Sequence, residues 1–263
     1  LPPHDLKERL SIFDSLQFDT VSFRYNEQTP YVLKDVSFTL NKGEQLAMVG
    51  TTGSGKSTIM RLMNKVYMDY EGSILLNGIE LSLIPKASML HLFSLMQQDA
   101  FLFEENVHFN ISLGNNDVRD QAVIDAAHYV YAHNFIVELP GQYEFQLTNN
   151  GENFSAGQTQ LISFARAIAQ GGQVVMLDEA TSSVDSITEE LIQKAIGKLF
   201  KEKTVIAIAH RLSTIRNADQ ILVLADGKVV ERGNHQMLLA TGGVYAGLLQ
   251  DSNYVDGDTL TEI

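Results

Sequence analysis

The sequence feature that most constrains the fold is a glycine-rich loop that separates a strand pattern from a helix pattern. The loop reads Gly50-Thr51-Thr52-Gly53-Ser54-Gly55-Lys56-Ser57. The segment before it, residues 45–49, is almost wholly apolar, as a buried strand requires. Apolar residues then recur at helical spacing, at Ile59, Met60, Leu62, Met63 and Val66. Strand, glycine loop and helix in this order open a parallel α/β unit, so the chain is predicted to build a sheet covered by helices.

The loop matches the P-loop pattern G-x-x-x-x-G-K-[ST], which cradles a phosphate chain. Its glycines let backbone N–H groups turn inward around phosphate oxygens, while Lys56 places a positive charge near the β- and γ-phosphates. The Ser57 hydroxyl can ligate Mg²⁺, and the next helix points its positive end at the same anion. A dinucleotide-binding turn is excluded, because Thr58 stands where that fingerprint needs a third glycine. The predicted nucleotide-binding residues are Gly50, Thr51, Thr52, Gly53, Ser54, Gly55, Lys56, Ser57 and Thr58.

Two further apolar runs end in side chains suited to phosphate chemistry. Residues 174–177 lead into Asp178 and Glu179, and residues 205–209 lead into His210. Parallel strands present their carboxyl ends at one edge of a sheet, where ligands bind. We therefore expect Asp178 to hold Mg²⁺, Glu179 to orient the attacking water and His210 to bond the γ-phosphate. A solvated acidic turn and a structural histidine are the alternatives at these positions.

A glutamine pair follows the first third of the chain. Gln98 is expected to reach Mg²⁺ or the attacking water, although Gln97 beside it leaves the assignment open and a solvated loop amide is the alternative.

Composition excludes several classes of protein. Nineteen basic residues stand against 32 acidic ones, a net charge of −13, which disfavours a nucleic-acid partner. There is no cysteine, so disulfides and thiolate metal sites are excluded. No run of about 18 apolar residues indicates a membrane span. The length of 263 residues suggests one large domain or a main body with an inserted part.

The rest of the pattern predicts an α/β core split by a mostly helical insertion. A strand is expected from Phe18, with Asp19, Val21, Phe23 and Tyr25 on one face. Asp226-Gly227 predicts a hairpin turn. Residues 1–16 resemble a connector, and residues 251–263 are predicted to be an acidic, flexible tail. Further strands are expected at 33–40, 174–177, 204–209, 221–224 and 228–231, and helices at 122–130 and 154–169.

A second motif gives the chain a family resemblance. Asn153-Phe154-Ser155-Ala156-Gly157-Gln158 is similar to the Leu-Ser-Gly-Gly-Gln signature of ATP-binding-cassette (ABC) transporters, and it lies 20 residues (178 − 158) before Asp178. Together with the P-loop, the segments 98–103, 177–182, 209–215 and 226–233 resemble the nucleotide-binding domain of an ABC exporter. The resemblance covers about residues 17–250.

The resemblance implies a fold and a domain organisation. It implies an α/β fold, a P-loop NTPase core with a mixed sheet and an antiparallel β subdomain, plus a helical subdomain at about 99–160 that carries the signature. Residues 1–16 would be a linker from a membrane domain in the same longer chain, or the membrane domain would be a separate subunit. The domain would lie on the cytoplasmic side of a membrane and use ATP and Mg²⁺.

The resemblance also implies roles for particular residues. Tyr25 would stack on adenine, with an ordinary core or edge tyrosine as the alternative. Two domains would face each other head to tail, so that the signature of one closes the ATP site of the other and Asp185 contacts the partner. Ser155 is also a good N-cap for the helix that follows. The signature residues expected to act in the partner's site are Ser155, Ala156, Gly157 and Gln158.

Three positions depart from the family pattern. Ala156 replaces a signature glycine, Thr159 stands where arginine is common, and Asn149 stands where exporters often carry glutamate. A weakened signature beside an intact Glu179 suggests a heteromeric exporter whose partner has a defective carboxylate site; simple tolerance of alanine is the alternative. Two other functions stay open from the sequence: a soluble ABC ATPase of DNA repair or translation, and a regulatory domain with little turnover.

Overall fold

The computed structural model describes residues 10–89, 91–96, 101–178, 185–209 and 211–250. In these residues the strands form two sheets, one of six strands in the order β10-β9-β3-β8-β7-β6 and one of four in the order β2-β1-β4-β5. The strands are β1 Ser15–Phe23, β2 Leu33–Asn41, β3 Gln45–Gly50, β4 Glu71–Leu76, β5 Ile79–Glu80, β6 Phe93–Met96, β7 Val174–Asp178, β8 Thr204–Ile208, β9 Gln220–Ala225 and β10 Lys228–Gly233.

The six-stranded sheet is parallel except at one edge. β3 pairs in parallel with β8 and β9, β7 pairs in parallel with β6 and β8, and β10 runs antiparallel to β9. Successive residues of β3 enter different cores, because Leu46 and Met48 pack in one apolar cluster while Ala47 and Val49 pack in the other. Burial on both faces explains why these strands are continuous apolar runs in the sequence.

The four-stranded sheet is antiparallel and corrects one detail of the sequence interpretation. Along β1 the pairing passes from Phe18↔Phe38 to Val21↔Val36, so one extra residue forms a bulge. The bulge shifts the alternation, and Asp19 is exposed whereas Val21 is buried. The prediction that Asp19 shares a face with Val21, Phe23 and Tyr25 is therefore wrong. β1 also begins at Ser15, before the predicted start at Phe18.

The helices lie mainly between β6 and β7 and along the chain after β7. Of the predicted helices, 122–130 is found as α4 and 154–169 as α6. Leu10 and Phe13, in the segment that resembles a connector, are buried. The helices are α1 Lys56–Met63, α2 Lys86–Met89, α3 Val107–Ser112, α4 Asp120–Tyr129, α5 His133–Ile136, α6 Ala156–Ala169, α7 Ser186–Glu202, α8 Leu212–Arg216, α9 His235–Thr241 and α10 Val244–Gln250, with 3-10 turns at Leu81–Leu83, Gln142–Glu144 and Asn149–Gly151.

Two packing arrangements position the functional segments. α6 packs against α3, α4, α7 and β6, so the signature helix is anchored both in the helical region and on the sheet. The β9–β10 hairpin turns through Asp226 at φ +49° and Gly227 at φ +80°, the left-handed pair that the Asp-Gly sequence predicts. None of the helices in the described part of the chain has the length and apolar character needed to cross a membrane.

Candidate functional site

The glycine-rich loop leaves the carboxyl end of β3 in a conformation that requires glycine at two positions. Gly50 has φ +146°, and a Cβ there would lie 2.2 Å from the carbonyl oxygen of Leu224 on β9. Gly55 has φ +109°, and a Cβ there would lie 2.6 Å from the Leu33 side chain. A residue with a side chain would therefore be both strained and obstructed. The loop is therefore confined at Gly50 by Leu224 of β9 and at Gly55 by Leu33 of β2.

Lys56 is the first residue of α1, and its ammonium group turns back into the loop. Its Nζ donates to the carbonyl oxygens of Gly50 and Thr51 at 2.8 and 2.9 Å and to the Ser54 hydroxyl at 3.3 Å. Burial lowers the pKa of Lys56, while the charge of Asp178 acts in the opposite direction and raises it. The loop thus holds a desolvated cation among backbone groups, an arrangement suited to a phosphate chain.

Asp178 ends β7 and faces the loop across the sheet edge. It pairs in register with Ile208, the last residue of β8, while Met48 of β3 pairs with the same residue from the other side. The carboxylate of Asp178 is the charge that acts on Lys56. The topology therefore brings the predicted carboxylate and the predicted lysine to one edge of the sheet. Gln98, Glu179 and His210 lie outside the described residues.

The Mg²⁺ that the sequence implies requires hard oxygen ligands. Ser57 has an exposed hydroxyl on the first turn of α1, and Asp178 supplies a half-buried carboxylate, so both donors are of the kind that Mg²⁺ takes. Within the described ranges, no three His, Cys, Asp or Glu side chains cluster as a metal site. The residues therefore fit an ion that is completed by phosphate oxygens and water.

Tyr25 lies just beyond the end of β1 and is 45% exposed. Its ring packs edge-on against Phe23 and Tyr67, with centroids 5.2 and 5.4 Å away. Its hydroxyl lies 3.1 Å from the Thr58 hydroxyl and accepts a 3.4 Å hydrogen bond from Arg61. The tyrosine is therefore fixed beside the P-loop helix with much of its ring open to solvent.

The signature residues form the start of α6. The Ser155 hydroxyl accepts from the Gln158 backbone N–H at 3.2 Å, and the Gln158 side chain accepts from the Ser155 N–H at 3.0 Å, which makes a capping box. Ser155 and Ala156 are exposed, whereas Gly157 is buried. The helix start is thus rigid and open to an incoming anion.

Asp185 is the N-cap of α7. Its Oδ1 accepts from the backbone N–H of Thr188 at 3.0 Å, and this bond is the main cause that lowers the pKa of Asp185. The carboxylate is exposed and charged at the beginning of a helix.

Comparison with known proteins decides the family. A sequence profile described as ABC transporter matches residues 33–182, more than half of the chain. The chain belongs to the ABC transporter family. MG015 of Mycoplasma genitalium, named as an ABC transporter ATP-binding protein, is 43% identical over 238 residues, which cover 90% of this chain and 40% of that protein.

Exporters are among the relatives of this ABC domain. A Staphylococcus aureus protein named for multidrug export, as an ATP-binding/permease protein, is 39% identical over 238 residues, 90% of this chain and 41% of the relative. A solved bacterial Atm1-family ABC exporter with ATP bound superposes with a TM-score of 0.84 at 33% identity, over 94% of this chain and 43% of that one. The chain spans about two fifths of the length of these proteins. The prediction of an exporter-type ABC ATPase domain is confirmed over the two alternatives.

The residues that hold the Tyr25 side chain in place were not predicted from the sequence. Arg61 and Tyr67 contact Tyr25 from positions far along the chain. Arg61 lies on the helical pattern after the P-loop and gave no separate signal. The period of α1 places Arg61 one turn after Thr58, so the two polar residues share a face of that helix. That spacing is the signal from which the contact could have been found.

Proposed function

We propose that this ABC domain binds ATP and Mg²⁺ at residues 50–58 and hydrolyses ATP in a head-to-tail dimer to power export across a membrane. The observation that carries the proposal is the buried Lys56 ammonium. It donates to the carbonyl oxygens of Gly50 and Thr51, and the charge of Asp178 raises its pKa against the effect of burial. The membrane domain would belong to the same longer chain or to a separate subunit, and the ABC domain would lie on its cytoplasmic side. The S. aureus relative is named for both ATP binding and permease, and the match to this chain covers 41% of its length. This relation supports a membrane domain as partner.

The chain's own residues divide the work of hydrolysis. Backbone N–H groups of the loop and Lys56 would bind the β- and γ-phosphates, and Tyr25 would stack on the adenine ring. Ser57, Asp178 and Gln98 would hold Mg²⁺, which supplies charge neutralisation to the phosphates when it is bound. Glu179 would orient and polarise the attacking water, and His210 would bond the γ-phosphate. Most of the rate enhancement would come from position and electrostatics.

The second half of each ATP site would come from a partner domain. The capping box at Ser155 keeps the first turn of α6 in place, so that the Ser155 hydroxyl and those N–H groups of residues 155–158 that the capping box does not use can bind the γ-phosphate across the dimer. Asp185, at the start of α7, would contact the partner. ATP would then hold the two domains together, and hydrolysis would release them.

Ala156 suggests that the partner is a different subunit. This residue is exposed at the first position of α6, and its methyl group would narrow the approach of a phosphate to the backbone. We therefore propose a heteromer in which Glu179 completes the hydrolytic site with the partner's signature, while residues 155–158 close a slower site. Brisk, cooperative ATP hydrolysis by the chain without a second type of cassette would contradict this part of the proposal.

Substitution of Glu179 by glutamine tests the hydrolytic proposal. We expect Glu179→Gln to reduce turnover about a hundredfold or more, because a positioned base contributes roughly that much, while ATP binding is retained. The matched control is Glu138→Gln, which changes an exposed glutamate on the helical region and should leave turnover unchanged. Unchanged turnover in Glu179→Gln would remove this residue from the mechanism.

A further inference from the structure

A two-bond ion pair joins two segments that flank the proposed catalytic residues. Arg211 Nη1 lies 2.5 Å from Glu189 Oε1, and Arg211 Nη2 donates to Glu189 Oε2 at 3.0 Å. Both side chains are 23% exposed. Gln193 donates a third hydrogen bond to Glu189 Oε1 at 3.0 Å. The two parallel bonds fix the angle between the groups as well as their distance.

The pair connects the segment after His210 to the first turn of α7. Arg211 directly follows His210 in the chain, and Glu189 donates its backbone N–H to the carbonyl of Asp185 at 2.9 Å, in the first turn of α7. The same crevice is lined by Leu177, which precedes Asp178, and by Gln160 of the signature helix α6. The ion pair therefore joins the segment that carries the proposed γ-phosphate contact to the helix that begins at the proposed dimer contact, and the signature helix lines the same crevice.

We propose that Arg211 and Glu189 form a positioning pair for ATP hydrolysis, which holds the segment after His210 at a fixed distance from the start of α7. This inference rests on the proposed function. Neither side chain is assigned a contact with ATP. Their role is to keep His210, the proposed γ-phosphate contact, in a fixed position relative to Asp185, the proposed partner contact at the start of α7. A partly buried ion pair is weak evidence for stability, but a bidentate pair sets geometry.

Two conservative substitutions separate geometry from charge. Glu189→Gln keeps the size of the side chain and one acceptor oxygen but removes the charge. Arg211→Lys keeps the charge but loses the planar fork. We expect each variant to lower kcat about tenfold or more, since misplacement of about 1 Å away from the reacting atoms has effects of that size. The KM for ATP should stay within about threefold, because nucleotide binding is not assigned to the pair.

The control lies one residue away in the same helix. Glu190 pairs with Lys194 at 2.6 Å on the exposed side of α7. Glu190→Gln therefore eliminates a similar ion pair that is exposed to solvent. Its kcat and KM should equal those of the unaltered protein. The double variant Glu189→Gln/Arg211→Lys should be no slower than the slower single variant, because both changes break the same pair.

The measurement is kcat and KM for ATP on the purified transporter assembled with its partner cassette, with kcat expressed per ATP-binding molecule so that unfolded protein does not contribute. A selective loss of kcat that is not additive in the double variant supports the pair's positioning role. Unchanged kcat, a loss that appears mainly in KM, or additive losses would overturn it. Failure of the proposed function has a different result, which is ATP hydrolysis by the unaltered protein that persists in Lys56→Ala.

Discussion

Alanine at Gly50 would place a methyl group against a carbonyl oxygen that is not free to move. The Cβ would lie 2.2 Å from the Leu224 oxygen and 2.9 Å from the Ser54 hydroxyl oxygen. Gly50 pairs in register with Leu224, and β9 is itself held between β3 and β10. The oxygen is therefore fixed by strands on both sides. Relief of the overlap would have to come from the phosphate loop.

The cost follows from these distances. Overpacking of a rigid contact costs about 1–3 kcal/mol, and a left-handed backbone at a residue with a side chain adds about 1–2 kcal/mol. Together these two contributions should lower the free energy of unfolding of Gly50→Ala by about 2–5 kcal/mol. Gly53 provides the matched control in the same loop. It has φ +82°, and a Cβ there would have no atom within 4 Å, so Gly53→Ala should lose only about 1–2 kcal/mol.

Urea denaturation followed by circular dichroism compares the two variants, since the free energy of unfolding extrapolates linearly with urea concentration. The expected result is a Gly50→Ala loss that exceeds the Gly53→Ala loss by about 2 kcal/mol. Equal losses would refute the reasoning that β9 restricts the loop through the Leu224 carbonyl.

Substitutions at three further positions give separate results. Tyr25→Ala should weaken ATP binding about tenfold in a nucleotide titration, whereas Tyr25→Phe should change it less than about threefold, because base stacking needs only the ring; equal affinities for all three proteins would exclude stacking. Ser155→Ala should lower the free energy of unfolding in urea by about 1 kcal/mol through loss of the cap; no change would mean that the capping box does not stabilise α6. Arg166 donates to the backbone oxygens of Phe101 and Asn110 at 2.9 and 2.7 Å, so Arg166→Met should cost about 2–4 kcal/mol in the same assay, and a loss below about 1 kcal/mol would contradict this.

The sequence predicts most of the parallel sheet because burial on both faces produces continuous apolar runs. β3, β7 and β8 and the Asp226-Gly227 hairpin are found where the patterns place them. β6 gave no clear signal, since its four residues owe their extended form to pairing with β7. The bulge in β1 could not be predicted, because an extra residue is defined only by the partner strands that oppose it.

Some residues of the candidate site could be placed from the sequence, and others could not. The loop of residues 50–57 and Asp178 could be placed from sequence, because each follows a strand of the same parallel sheet. The contacts of Tyr25 with Arg61 and Tyr67 could not, since each joins distant parts of the chain and depends on how β1 packs near α1. The Arg211–Glu189 pair is of this second kind. The roles of Gln98, Glu179 and His210 stay predictions.

The most direct test of the proposed nucleotide site is a titration that compares the affinity for ATP of purified Lys56→Ala with that of the unaltered protein. Lys56 is buried among the loop carbonyls, and charge-assisted hydrogen bonds are worth about 1.5–3 kcal/mol each, so loss of two to a phosphate should weaken binding about a hundredfold or more. That loss is the expected result. Unchanged affinity would contradict it, because the glycine-rich loop would then not be where the nucleotide binds.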